Sequence, residues 1–173
     1  MLGLYDNFPE NFHRIETFTS TLPDQKLQQK LVQALQEVNR KPFSFEEISH
    51  PAMNDCTVMF EVGIADGTSF NYVDAEEAKK VLNVLKKQTF RTMDFFVAVR
   101  YYKGDGKKKK PLRFDYYMIR FVFSGNNSVE LQVFHERGPR YTSPEDIVEF
   151  IEKEVNGAST RKTLKKVDRL SEL

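Results

Sequence analysis

The stretch FHERGPRYTSPED, residues 134–146, gathers the side chains best suited to chemistry: His135, Arg137 and Arg140 lie just ahead of a helix start at Ser143-Pro144. An imidazole and two guanidiniums near the positive end of a helix dipole can hold an anion. This trio is the candidate anion site, and an enzyme, the third-ranked functional reading, would have its site here. The competing account is structural: Glu136, Arg137 and Arg140 form exposed pairs around a Gly138-Pro139 turn.

Elsewhere the ingredients of catalysis are scattered. His13, His50 and His135 show no metal-ligand spacing, and Cys56 is the sole cysteine, so neither a zinc site nor an intrachain disulfide is expected. Asp94 and Asp115 are carboxylates within aromatic strands, but the favoured register sets them at opposite ends of the sheet, too far apart for an acid–base pair. No Ser, Cys or His arrangement reads as a nucleophile site. The expectation is a protein without catalytic residues, metal or cofactor.

A second feature is RYYKGDGKKKKPLRFDYYMIRF, residues 100–121, in which Lys107, Lys108, Lys109 and Lys110 separate two aromatic, arginine-bearing segments. The lysines read either as a phosphate contact or as a solvated hairpin tip. Gly-Asp-Gly ahead of them lacks the strand-before, helix-after setting of a phosphate-binding loop.

The elements that position these groups follow from periodicity. Leu27, Leu31, Val32, Leu35 and Val38 share one face of a helix over 23–39, with Ser20 or Thr21 as its cap. Ala78, Val81, Leu82 and Leu85 do the same over 74–88, where Asp74 and Glu77 stand at capping-box spacing. Ser143 and Pro144 open a last helix that runs to Val155. Strands are predicted at 57–64, 68–73, 93–102, 112–123 and 128–136, with a weak one at 43–48. A three-residue loop, Ala65-Asp66-Gly67, is expected between the first two, because it sets Phe70 opposite Val62 and Tyr72 opposite Phe60.

The order α-β(β)β-α-β-β-β-α predicts an α+β fold: an antiparallel sheet of five or six strands with amphipathic helices mainly on one face. Residues 1–156 are taken as one domain. Residues 157–173 form a basic tail, helical if docked, because Leu164, Val167 and Leu170 fall at helical spacing.

Alternation also fixes a leftover face. Burying Phe95, Val97, Val99 and Tyr101 with Tyr117, Ile119, Phe121 and Phe123 and with Val129, Leu131 and Val133 turns another set to the reverse side: Phe96, Arg100, Tyr102, Phe114, Tyr116, Met118, Arg120 and Phe134. Tyr, Phe, Met and Arg are the types enriched where proteins meet, and the same types on a sheet can stack unpaired bases. These eight residues are the candidate binding face. Its other fate is to be covered by the chain's own N-terminal segment, tail or helices.

Net charge is +1 over 173 residues, which disfavours a dedicated polyanion binder, but the distribution is uneven. Residues 5–77 carry 5 basic and 13 acidic side chains, whereas 86–120 carry 11 basic and 3 acidic ones. Opposite blocks can face each other within the fold or drive self-association. No stretch nears the roughly 20 apolar residues of a membrane span, and the N-terminus lacks a signal pattern, so a cytoplasmic protein without membrane partners is expected. The leading functional expectation is a protein-binding or adaptor module that self-associates through the aromatic and arginine face. The alternative is a single-stranded nucleic-acid binder using that face with the lysine tip.

Overall fold

A computed structural model describes residues 1–39, 41–49, 53–104, 108–158 and 160–167. His50, Lys107, the Asp105-Gly106 part of the hairpin tip and residues 168–173 of the tail lie outside the described residues. Among the described residues, three helices pack with one large antiparallel sheet, so the α+β class holds, while strand number and order differ from expectation.

The elements run β1 (Arg14–Ser20), α1 (Asp24–Val38), β2 (Phe43–Ser44) with a single 3₁₀ turn after it, β3 (Cys56–Asp66), β4 (Ser69–Tyr72), α2 (Ala75–Leu85), β5 (Thr92–Lys103), β6 (Lys110–Pro111), β7 (Asp115–Phe123), β8 (Ser128–Arg137), α3 (Pro144–Asn156) and β9 (Leu164–Lys166). Across the sheet the order is β2-β3-β5-β7-β8-β1-β9, with β4 beside β3 and β6 beside β5.

The sheet centre follows the alternation. Phe95 pairs with Ile119 and Ile119 with Val133, while Val97 pairs with Tyr117. These side chains are buried together with the apolar faces of all three helices. Phe150 of α3 stacks on Phe60 of β3 at 4.7 Å, and Phe43 meets both edge-on. Side-chain amides on or just past the helices tie the two layers together. Gln28 donates to the Phe90 carbonyl and accepts from the Phe90 N–H. Asn39 does the same with Val62, and Asn156 with Leu164. Each amide supplies one donor and one acceptor, as a neighbouring strand would.

Four expectations are corrected. The sheet of described residues has nine strands rather than five or six, because residues 14–20 form a strand between β8 and β9, Leu164–Lys166 is itself a strand, and Lys110–Pro111 pairs separately with β5. The docked part of the tail is extended rather than helical: β1 presents a free edge, and Leu164–Lys166 fills it with backbone hydrogen bonds. Helix α1 starts behind Pro23 without a side-chain cap, since the Ser20 hydroxyl is engaged by Leu22. The β3–β4 turn holds two residues, Gly67 and Thr68, not three: Asp66 pairs with Ser69 and Ala65 with Phe70. Gly67 at φ +70° occupies the first central position, as a type II′ turn requires. Phe70 and Tyr72 are thereby turned away from the helices onto the reverse face, where other aromatic rings await them.

Candidate interaction face

On the reverse face, side chains line up in rows across the strands. Ala65 of β3, Asp94 of β5, Arg120 of β7 and Gln132 of β8 lie near one end, followed by Phe96, Met118 and Phe134. Next come Glu61, Ala98, Tyr116 and Arg137, and finally Met59 with Arg100 and Thr57 with Tyr102.

The chain's own N-terminal segment covers the first of these rows. Residue 3 sits between diverging β3 and β5, its N–H donating to Ala65 and its carbonyl accepting from Asp94. From there the segment crosses the sheet. The Tyr5 N–H donates to Asp94 Oδ2 at 2.8 Å, the Phe8 ring lies 4.2 Å from the Arg120 guanidinium, and His13 stacks on Phe134 at 4.9 Å. The His13 Nδ1 accepts from the His135 N–H. Partial burial, then the charges of Arg140 and His135, hold the His13 pKa below its ordinary value.

Of the predicted face, Arg120 and Phe134 therefore fall against this strap, and Met118, between Phe96 and Phe134, is buried (9% exposed). Phe96, Arg100, Tyr102, Phe114 and Tyr116 remain partly exposed. They join residues that periodicity did not assign to the face. Tyr5, Phe70, Phe96 and Tyr116 form a ladder with ring centroids 4.7, 5.5 and 5.9 Å apart in succession. Arg137 closes it, its guanidinium 4.4 Å from the Tyr116 ring. Tyr102 and Phe114 make a separate pair at 6.1 Å. Tyr72 (50% exposed) and Ile15 (37%) lie on opposite flanks of the same face.

The arginines here are largely compensated. Arg120 grips buried Asp94 with Nε to Oδ1 at 2.7 Å and Nη2 to Oδ2 at 2.9 Å, a two-point bond of the strong, orienting kind. Arg100 pairs with Glu61 at 3.1 Å. Arg137 makes no ion pair among the described residues and carries the face's unmatched charge over an aromatic ring.

The structure separates the candidate anion trio. A bulge at the β7–β8 junction sets Tyr117 opposite His135 but Tyr116 opposite Arg137, leaving Glu136 as the extra residue. Arg137 is thereby thrown onto the reverse face, while His135 points the other way, its Nε2 2.9 Å from Asp115 Oδ1. Arg140 is exposed at φ +62°, and its N–H donates to the same Asp115 oxygen.

Asp115, wholly buried, is the hub of that second cluster. Oδ1 accepts from Arg140 N–H (2.6 Å) and faces His135; Oδ2 accepts from the Tyr101 hydroxyl (2.6 Å) and Tyr141 N–H (2.8 Å). The Tyr101 hydroxyl also bonds the Thr142 hydroxyl, and the Tyr117 hydroxyl donates to the Thr142 carbonyl. Burial first, then neighbouring Tyr117 and Asp115, push the Tyr101 phenol far above its usual range; burial and Asp115 do the same to Tyr117. Every partner comes from the fold itself, so the cluster pins the 138–142 loop and with it the strand end that aims Arg137.

Lys108, Lys109 and Lys110 are exposed at the far end of the sheet with Lys103, which pairs with Lys110. Among the described residues no group of His, Cys, Asp and Glu could hold a metal ion, and no helix is long and apolar enough to cross a membrane. No protein-family model, curated protein or solved structure matches the chain.

Proposed function

We propose that this chain is a non-catalytic protein-binding module, self-associating through the open part of the reverse sheet face. One observation carries the reading: the face exposes planar aromatic side chains while Arg100 and Arg120 are neutralised in place by Glu61 and Asp94. A surface of that kind offers large contact area at small entropy cost and little net charge, which suits a protein partner better than a phosphate backbone. The lone buried Cys56 is in keeping with a reducing, cytoplasmic setting.

A second reading has its own observation. The Tyr102–Phe114 pair lies beside Lys103 and the Lys108–Lys110 run, so a single strand could stack there and meet cations. The discriminating experiment is the solution mass of the wild type by light scattering, beside a Phe96→Ser, Tyr116→Ser double variant. A wild-type assembly that the variant loses, with an unchanged circular dichroism spectrum, supports the face; an assembly equally strong in both refutes it. The absorbance ratio of the purified protein tests the second reading, since without Trp any bound nucleic acid is conspicuous.

A further inference from the structure

We infer that the outer edge of β4 is a docking site for an extended segment of another protein, one in which apolar residues alternate with lysine or arginine. The site is an edge of the sheet rather than its face, so it stands apart from the self-association proposed above. Backbone polarity comes first. The Val73 N–H donates to the Val62 carbonyl, while on the opposite side of β3 the Ala65 carbonyl accepts from the Gly3 N–H. Alternation along the hairpin therefore turns the backbone groups of Ser69 and Asn71 toward β3 and those of Phe70 and Tyr72 outward. The Tyr72 carbonyl accepts from the Asp74 N–H, which leaves the Phe70 N–H and C=O and the Tyr72 N–H without a hydrogen bond among the described residues. Among those residues β4 has no strand neighbour other than β3, and the Tyr72 side chain is half exposed.

Unpaired edges are normally blunted by proline, by lysine and other charges, or by extreme shortness. The sheet's other edge strands follow that rule. Strand β2 is two residues long and enters from Lys41-Pro42, β6 is Lys110-Pro111, and β9 ends in Lys165-Lys166. Strand β4 is the exception, since Ser-Phe-Asn-Tyr carries neither charge nor proline. A strand added to it gains backbone hydrogen bonds and sets every second side chain beside Phe70 and Tyr72, at the end of the aromatic ladder. The side chains between fall on the side where the Asn71 amide donates to Glu77, with Asp74 and Glu76 exposed just beyond. Lys80, 3.9 Å from Glu77, and exposed Lys79 offset part of that charge a turn further along α2. The carboxylates nearest the edge select cations between the apolar residues of the segment. They also disfavour a second copy, because two β4 edges joined about a two-fold axis at Asn71 bring the Asp66 end of each chain toward the acidic start of α2 in the other.

The probe is a short, end-capped peptide of alternating valine and lysine, its affinity read by fluorescence anisotropy and its position by amide hydrogen exchange. In the free protein the Phe70 and Tyr72 amides are expected to exchange fast, and bound peptide is expected to slow both by at least about tenfold. Asn71→Lys keeps the backbone and puts a cation beside Glu77, whereas Tyr72→Pro removes an outward donor and no bond to β3. Each is expected to weaken binding at least about fivefold, and the same peptide with glutamate in place of lysine is expected to bind more weakly than the original. Asn71→Lys carries the test by itself if the proline variant does not fold. Binding that leaves both amides fast, or that survives Asn71→Lys undiminished, puts the peptide elsewhere and overturns the edge site, as does a failure to bind at all. A self-assembly of the wild type that Asn71→Lys disperses would make the occupant a second copy and overturn the segment from another protein.

Discussion

Replacing Asp115 by Asn should cost this protein about 3–5 kcal/mol, although the change removes no volume. The carboxylate has two oxygens and four neighbours, two on each side. An amide keeps one accepting oxygen and turns an NH2 group toward the other pair. If that group faces His135 and Arg140, the imidazole can change tautomer and accept, but the Arg140 N–H cannot. If it faces Tyr101 and Tyr141, the phenol oxygen can accept, but the Tyr141 N–H cannot. Either orientation strands one backbone N–H, worth about 1–3 kcal/mol when buried, and reduces the remaining bonds from charge-assisted to neutral strength.

In a chain of this length each kcal/mol lowers the melting temperature by about 2–4 °C, so a drop near 10 °C is expected. Urea unfolding gives the free energy, provided the slope with denaturant is unchanged. Hydrogen exchange supplies the local readout: the amides of Arg140 and Tyr141, protected in the wild type, should no longer both be slow. A loss under about 1 kcal/mol with both amides still protected would refute the assignment of Asp115 as the hub that pins the 138–142 loop.

Two further predictions concern the same corner. Gly138→Ala should destabilise by about 3 kcal/mol or more in urea, because at φ +115° a Cβ would fall on the Phe114 carbonyl and within 2.6 Å of Asp115 Oδ1; Gly125→Ala, also at positive φ but facing open space, should cost only about 1–2 kcal/mol. Tyr101 and Tyr117 keep their protons in the folded state at pH values where the unfolded chain loses them, so their contribution to stability is intact below about pH 10 and declines above it. An alkaline titration should therefore show part of the phenolate absorbance rising together with the loss of far-ultraviolet dichroism; full ionisation of all tyrosines before any unfolding would contradict the buried cluster.

How much of this was legible in the sequence depended on which side of each strand held the apolar residues. In β5, β7 and β8 large apolar side chains recur at every second position, and the observed pairing follows. Strand β1 defeats the same rule. Its inward set is Arg14, Glu16, Phe18 and Ser20, and its outward set includes exposed Ile15, so the period is present but its polarity is inverted. Arg14 pairs there with Glu16 and reaches Glu145 of α3, and a contact with a helix so far along the chain has no local signal. The β3–β4 turn departs from expectation because the core is not the only place for Phe70 and Tyr72: the reverse face is itself aromatic, and Phe70 is half-buried there between Tyr5 and Phe96. The tail shows the opposite error: apolar spacing suggested a helix, but an open strand edge and the Asn156 amide offered backbone partners that a three-residue strand could use.

The proposed binding face was visible as composition, while its chemistry was not. Alternation places Phe96, Arg100, Tyr116 and Arg120 on one side, and from residue types alone that side looks cationic. Asp94 and Glu61 change its character, one a neighbour across the sheet from Arg120, the other from β3. Arg137, which the sequence assigned to an anion site with His135, reaches the face only because a one-residue bulge shifts the parity of β8 beyond His135. The bulge is held by the Asp115 cluster on the helix side, so a buried carboxylate and an exposed guanidinium on opposite sides of the sheet are coupled through one strand end. On the proposed protein-binding reading, variants of the cluster which leave the chain folded should still alter how Arg137 meets Tyr116, and hence partner affinity, whereas variants of the ladder should alter affinity and leave the cluster intact. That asymmetry is what separates a scaffold from the surface it presents.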